Sequence, residues 1–368
     1  MTDTIFVPSF GNRPRNLVGR EKVLQQFKMC LQSPLGSRDR ALLLLGQQGS
    51  GKTVLLLEME ELSRRNGYVV ASPTVVSKSM LPRILEKLID DGADYLDKQR
   101  TKLSGGSVNV FGFGGGIQFQ DDVPETKTFS WQLSSICTDL NKKGKSVLIL
   151  IDEVQANSEE LKQLIIAYQE LVGVGADIAI VFAGLPIAIA NTLNDHVLTF
   201  LNRARKIDVG PLRINDIDTY YWSVFQEIGL KISDELRLNA AKATAGSPYL
   251  MQLVGHYLTV MADESGRISE SVYCIARQKA IDDYKTDICQ TTVAPLSEKD
   301  IDFLIAMSED EKESKLSDIA ARMEATSAYV QTYKRRLIQA AVIEPVRRGF
   351  VRFVTPYLGE YIRTHYLD

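Results

Sequence analysis

Gly46-Gln47-Gln48-Gly49-Ser50-Gly51-Lys52-Thr53 decides how the rest of this chain is read. It follows the apolar run Ala41-Leu42-Leu43-Leu44-Leu45 and leads into Val54-Leu55-Leu56-Leu57-Glu58-Met59, so a strand, a glycine-rich turn and a helix are expected in that order. A glycine, four residues and then Gly-Lys-Thr is the spacing of a phosphate-binding loop. Glycines at 46, 49 and 51 permit positive φ and bring successive N–H groups close to a polyphosphate, at the positive end of the following helix. Lys52 then reaches the β- and γ-phosphates, and Thr53 offers a hydroxyl to Mg²⁺, a hard cation that takes oxygen ligands. The plainer alternative, a glycine-rich turn before an ordinary helix, accounts for neither Lys52 nor Thr53. All eight residues, Gly46 to Thr53, are therefore assigned to nucleotide binding.

The chain has 368 residues, 45% hydrophobic and 24% charged, with a formal net charge of −3. That length accommodates two or three domains, each able to bury a core. Without a global basic excess, any nucleic-acid surface has to be local. Cys30, Cys137, Cys274 and Cys289 lie far apart, without CxxC or Cys/His spacing, and three of them fall in apolar patterns. They read as reduced core residues, neither disulfides nor metal ligands. The N-terminus lacks a charged signal-type region, and no run approaches the roughly 18 apolar residues of a membrane span. A cytoplasmic location and no membrane association are expected.

Upstream of the loop, Leu17-Val18-Gly19-Arg20-Glu21 opens a helix expected over 21–32. Downstream, Gly67-Tyr68-Val69-Val70-Ala71 predicts a second strand, and apolar residues at 81, 84, 85, 88 and 89 predict an amphipathic helix over 79–102. Residues 104–120 alternate Val108 and Val110, then Ile117 and Phe119, around Gly112 and Gly114-Gly115-Gly116, the pattern of a β-hairpin with a glycine-rich tip. No lysine follows those glycines, so this is no second nucleotide loop. It is either a flexible insertion packed on its own domain or a hairpin that touches DNA or a partner. A further helix is expected from Trp131 to Lys143.

Ser146-Val147-Leu148-Ile149-Leu150-Ile151-Asp152-Glu153 is a continuously apolar strand ending in two acids, suited to burial on both faces of a parallel sheet. Ligands of open α/β sheets bind at that C-terminal end. Asp152 is placed to hold Mg²⁺ through water beside Thr53. Glu153 is placed to orient and deprotonate an attacking water, a role worth roughly 10²- to 10⁴-fold in rate. Acidic pairs that end strands also serve as N-caps, but an acidic pair about 100 residues after a phosphate loop points to catalysis. Residues 177–186 form another buried strand, and from 213 to 262 the pattern changes to helices over 214–228, 234–245 and 249–262.

At the C-terminus the order is a helix from Leu296 to about Met307, a short helix over 316–323, a turn, a helix over 328–341, and strands over 342–346 and 350–354. That is the order of a winged helix-turn-helix, whose third helix enters the major groove. Residues 296–324 hold 4 basic and 9 acidic residues, whereas 325–368 hold 7 basic and 3 acidic. The basic side chains fall on the third helix, Lys334, Arg335 and Arg336, and on the wing, Arg347, Arg348 and Arg352. These are the candidate DNA-binding residues. Such modules also bind proteins.

Val18-Gly19-Arg20-Glu21 ahead of a phosphate loop resembles the leading segment of AAA+ and related STAND ATPases, although the tetrapeptide also suits an N-capped surface helix. With the loop, the acidic strand and the C-terminal module, the resemblance extends over nearly the whole chain and is to the origin-recognition initiator and archaeal-type layout. It implies an α/β fold with three parts: a P-loop NTPase parallel-sheet core (1–212), a helical lid domain (213–294) and a C-terminal winged helix-turn-helix (295–368). It implies an arginine finger from Arg203 or Arg205, which are otherwise surface basics, and contact of the Gly246-Ser247-Pro248 turn with adenine or phosphates, through Pro248. This chain has Ala183-Gly184 where the family carries a polar sensor residue, and Tyr249 in place of a sensor arginine. The expected function is a slow ATPase switch using ATP and Mg²⁺, whose nucleotide state controls its assembly or its engagement of duplex DNA. A homo-oligomer or a partner protein is expected as well. The alternative is a signalling or adaptor ATPase whose C-terminal module and hairpin bind a protein partner.

Overall fold

In a computed structural model of the protein, the apolar run before the phosphate loop is strand β1 (Ala41–Leu45), with Ala41 through Leu44 buried. The described residues are 5, 6, 8, 17–77, 79–96, 128–154, 158–186, 188, 189 and 201–367. The hairpin expected over 104–120 lies outside them. The chain divides into two compact units. One comprises Lys22–Gly46 and Lys52–Asp208, and the other Met1–Glu21, Gln47–Gly51 and Val209–Asp368.

The first unit is a five-stranded sheet in the order β2-β3-β4-β1-β5, from β1, β2 (Tyr68–Val75), β3 (Ser146–Asp152), β4 (Ile178–Gly184) and β5 (Arg205–Asp208). Every pair is parallel. Parallel strands need crossover connections, and helices α2 (Lys52–Arg65), α3 (Met80–Asp91), α4 (Phe129–Lys142) and α5 (Glu159–Gly173) occupy the intervals between the first four. Leu45 pairs with Gly184 and Ile151 with Phe182, so the ends of β1, β4 and β3 share one edge of the sheet. The core is dense in β-branched and leucine side chains, with Leu148, Ile149, Leu150 and Ile151 fully buried. Helix α1 (Glu21–Leu31) precedes β1.

Two expected elements differ in length. Strand β2 continues to Val75 because pairing with β3 resumes at Thr74 after a register shift past Ala71. The shift spans Pro73, which has no N–H to give to a ladder, and β2 is an edge strand, where such a break is tolerated. The helix expected over 79–102 ends at Asp91. Gly92 caps it with its N–H on Leu88 O, at a place where an added Cβ would meet Leu88 O at 2.8 Å and Leu140 Cδ2 at 3.1 Å.

The second unit is helical apart from one small sheet. Helices α6 (Ile214–Glu227), α7 (Asp234–Ala243), α8 (Pro248–Val260) and α9 (Glu270–Tyr284) lead through a π-turn (Lys285–Cys289) into α10 (Gln290–Val293). Then come α11 (Glu298–Ser308), β6 (Ser314–Lys315), α12 (Leu316–Arg322), α13 (Ser327–Gln339), β7 (Ile343–Arg347), β8 (Phe350–Phe353) and α14 (Leu358–Tyr366). The three strands form an antiparallel sheet ordered β6-β8-β7. One apolar core runs through the unit from Phe6, Tyr221 and Phe225 to Phe303, Met307, Leu337 and Ile362.

Phe6 is 2% exposed and lies edge-on to Tyr220 and Tyr221. It fits because position 255 is glycine: a Cβ there would come within 2.3 Å of the Phe6 ring. Phe6→Ala is therefore expected to cost about 3 kcal/mol or more of stability. Gly255→Val should destabilise comparably by ejecting the ring, and the two losses should not add. Urea midpoints of the single and double variants test this.

Candidate functional site

At the sheet edge, Gly46 N donates to Gly184 O (3.2 Å) and Val154 N to Ala183 O (2.9 Å), so the tip of β4 contributes backbone. Lys52 opens α2, and its Nζ donates to Gly46 O at 2.9 Å. Burial pushes the Lys52 ammonium below its usual pKa, while Asp152 and Glu153 oppose the shift. Asp152, 4% exposed, accepts the Thr53 hydroxyl on Oδ2 at 2.6 Å and the Glu153 N–H on Oδ1 at 2.9 Å. Glu153 has a φ of 51°, unusual for a residue with a side chain, and is exposed. The backbone thus turns out of the strand between a buried carboxylate and an exposed one.

In the other unit, the loop backbone has φ of +74° at Gly49 and +85° at Gly51. Ser50 N donates to Gln47 O at 3.2 Å. Ser50 Oγ is buried and has no hydrogen-bond partner among the described residues. An added Cβ on Gly51 would lie 3.9 Å from Pro248 Cγ, so the expected Gly-Ser-Pro turn faces the phosphate loop. Ser247 caps α8 by accepting from Leu250 N. Tyr249 donates its hydroxyl to Asp287 Oδ2 at 2.6 Å.

In the helical unit, Ser50 Oγ has no partner among the described residues and the positive-φ glycines turn the loop backbone in the way an anionic polyphosphate needs. In the sheet unit, Lys52 is a desolvated cation. Thr53 Oγ1 and Asp152 Oδ2 are adjacent oxygens of the kind Mg²⁺ accepts. No group of three or more metal-ligating side chains occurs among the described residues. A Mg²⁺ held here would depend on phosphate and water oxygens for its other ligands.

Of the two finger candidates, Arg203 is exposed, while Arg205 is committed, its Nε donating to Asp39 Oδ1 at 2.7 Å. That hydrogen bond raises the Arg205 pKa. The six C-terminal candidates also separate. Arg336 pairs with Asp300 (2.8 Å), Arg347 with Glu313 (2.7 Å) and Arg352 with Glu344 (2.6 Å). Lys334, Arg335 and Arg348 have no carboxylate partner among the described residues. Sequence reading gave no role to Arg20, which is buried and donates to Ser50 O and Gly210 O. Its acceptors are backbone atoms 30 and 190 residues away, which leave no mark in a side-chain pattern.

Residues 16–181 match the family described as AAA ATPase domain. Residues 286–362 match a domain of unknown function, DUF8462. Among solved structures, a Walker-type ATPase of Pyrococcus abyssi matches with a TM-score of 0.69 at 15% identity, covering 98% of this chain and 99% of that one. The ORC2 protein of Aeropyrum pernix, in ADPNP and ADP complexes, matches with a TM-score of 0.62 at 14% identity over 97% and 96% of the two chains. For Cdc6p of Pyrobaculum aerophilum the values are 0.52, 16%, 99% and 97%. Comparison with curated proteins returned no match. The fold is similar to that of these ORC2 and Cdc6p structures, and the described residues contain no helix long and apolar enough to cross a membrane.

Within the parallel-sheet unit the two arginines should separate experimentally. Arg205→Ala and Asp39→Ala are each expected to lower stability by about 0.5–1 kcal/mol, with the double variant no worse than either, because the pair is partly exposed. Arg203→Ala should leave the denaturation midpoint in place. A double-mutant cycle in urea checks both.

Proposed function

We propose that this protein binds ATP with Mg²⁺ and hydrolyses it, and that nucleotide state controls how a C-terminal winged helix engages duplex DNA. The observation that carries the ATPase reading is the 2.6 Å bond between Thr53 and Asp152, which joins the phosphate loop to the acidic strand end across 99 residues. The nucleotide complexes reported for the ORC2 protein of Aeropyrum pernix agree with this use of the fold.

In this mechanism the backbone N–H groups of Gln48, Gly49 and Gly51 hold phosphate oxygens, and Ser50 Oγ donates to one of them. Lys52 gives up its hydrogen bond to Gly46 O and neutralises the β- and γ-phosphates. Thr53 and Asp152 would hold a Mg²⁺, which when bound would supply charge neutralisation to the phosphates. Glu153, exposed at the end of β3, orients the attacking water and takes its proton on a carboxylate oxygen as the terminal phosphoryl group leaves ADP. Hydrolysis is slow, because the tip of β4 and the first turn of α8 present Ala183-Gly184 and Tyr249 where the family resemblance calls for polar or cationic sensors. Pro248 closes on the nucleotide beside Gly51. We assign 1–212 to the nucleotide module, 213–294 to the lid and 295–368 to the winged helix.

The DNA reading is carried by Lys334 and Arg335 on α13 and Arg348 in the β7–β8 turn, those of the six candidates left without carboxylate partners among the described residues. A second reading, an adaptor ATPase that holds a protein partner, is favoured by the internal pairing of Arg336, Arg347 and Arg352, which halves the basic set.

Lys52→Ala is expected to abolish ATP binding, and Glu153→Gln to keep ATP bound while slowing its hydrolysis by about 10²-fold or more. Equilibrium binding and phosphate release measure the two. For DNA, a Lys334/Arg335/Arg348 triple alanine variant should weaken duplex affinity alike on all sequences and flatten the slope of log affinity against log salt by about 0.9 per lost phosphate contact. Unchanged duplex affinity would instead favour the adaptor reading.

A further inference from the structure

Arg20 is 7% exposed, and no carboxylate lies within ion-pair distance of it among the described residues. Burial lowers its pKa, opposed only by Glu21. Its Nη2 donates to two backbone carbonyls, Ser50 O at 3.0 Å in the phosphate loop and Gly210 O at 2.7 Å in the segment leading into α6.

The Ser50 carbonyl and the Gly51 N–H belong to one planar trans peptide and point to opposite sides of it. A cation that holds the carbonyl therefore also fixes the direction of the N–H. The restraint matters at this position because Gly51 sits at φ +85°, and a glycine there lets the peptide turn over at little cost. A charge-assisted bond to the carbonyl also polarises the peptide and makes its N–H a stronger donor. Ser50 Oγ, buried on the same residue with no partner among the described residues, points independently to a ligand at this peptide.

The second carbonyl closes a ring. Gly210 is followed by Pro211 and Leu212, and Leu212 N donates to Gly246 O at 2.8 Å. Gly246 begins the turn that brings Pro248 to Gly51. It must be glycine, since its φ is +78° and an added Cβ would lie 2.7 Å from Leu212 O. Loop, Arg20, Gly210, Gly246 and Pro248 thus form one circuit, in which Arg20 joins the loop to the segment leading into α6.

We propose that Arg20 is a positioning residue for nucleotide: by holding the Ser50 and Gly210 carbonyls it keeps the Gly51 N–H presented to a phosphate oxygen and sets the phosphate loop against the Pro248 turn. This rests on the ATP-binding reading above. It differs from recognition of the base, because the atoms held belong to the loop that takes phosphate.

The test uses the full chain, with mant-ATP and mant-ADP as probes and wild type, Lys52→Ala, Phe6→Ala, Arg20→Met and Arg20→Lys as variants. Arg20→Met keeps the length of the side chain without donors and should weaken both nucleotides about tenfold or more. Its KM for ATP should rise by a similar factor while kcat at saturation stays within about threefold. Arg20→Lys keeps the cation but reaches less far, and should lose about three- to tenfold. Phe6→Ala lowers the melting temperature of the same unit with no change in affinity, so a merely structural loss is recognised. Wild-type affinity in folded Arg20→Met overturns the proposal. If Arg20→Met does not fold, wild-type affinity in Arg20→Lys overturns it. Absence of nucleotide binding by the wild type, with Lys52→Ala indistinguishable from it, overturns the ATP reading itself.

Discussion

A carboxylate as buried as Asp152 has to be satisfied, and the two bonds that satisfy it organise the end of the sheet. A buried charge is tolerated only with hydrogen-bonded partners. The Thr53 hydroxyl on Oδ2 holds the first turn of α2 against the end of β3, although β4 lies between β3 and β1. The Glu153 N–H on Oδ1 draws the next residue into the left-handed region, at a cost on the order of 1 kcal/mol. Strain has a visible result at this point: Asp152 stays buried against Thr53, and Glu153 is turned out to where water can reach it.

In the helical unit, contacts between distant stretches of backbone do the equivalent job. The Leu212 N to Gly246 O bond sets the turn before α8, and Tyr249, in the first turn of that helix, donates to Asp287 in the π-turn. The same π-turn is held from its other side, with Lys285 paired to Glu360 at 2.9 Å and Cys289 Sγ 3.6 Å from Pro356 O. Tyr357 adds a hydroxyl bond to Ala243 O at 2.6 Å. One short segment of irregular helix therefore bears on the turn that faces the phosphate loop and on the last helix of the chain. π-bulges inside helices are costly and recur at functional positions.

Much of this was legible in the residues. Gly46 to Thr53 and Val147 to Glu153 announce the strand, loop and helix and the acidic strand end that the Thr53–Asp152 bond brings together, because the loop spacing and the apolar strand ending in acids are local patterns. The helix-turn-helix order at 298–339 was legible for the same reason, through caps such as Ser297 and Thr326. Features built from distant backbone were not. Arg20 is one letter in a tetrapeptide, and nothing near it in sequence indicates two carbonyl acceptors. Strand β6 is two residues long, set behind Glu311-Lys312-Glu313, and too short to show alternation. Helix α9 was missed because its weak amphipathic pattern hides a face closed by Tyr273, Ala276, Ala280 and Tyr284. Ion pairing was equally invisible, since Arg205 and Asp39 lie 166 residues apart.

Pairing changes how the C-terminal charge should be weighed. Arg336 reaches Asp300, which is 1% exposed and whose Oδ1 has no partner among the described residues, so this arginine is needed to hold a buried anion. Arg352 lies directly across the ladder from Glu344, and Arg347 is both paired with Glu313 and stacked 3.8 Å over the Phe350 ring. These pairs help to fix the register and twist of the hairpin. A cation already neutralised by an internal carboxylate releases few counterions when it approaches a phosphate, because its field is spent at short range. The count of seven basic residues from 325 to 368 therefore overstates the electrostatic footprint. What can steer a polyanion is the charge left after carboxylate pairing, and among the described residues that charge sits on Lys334, Arg335 and Arg348, on α13 and the β7–β8 turn, and on Arg363, whose guanidinium is bonded to the Ser308 carbonyl.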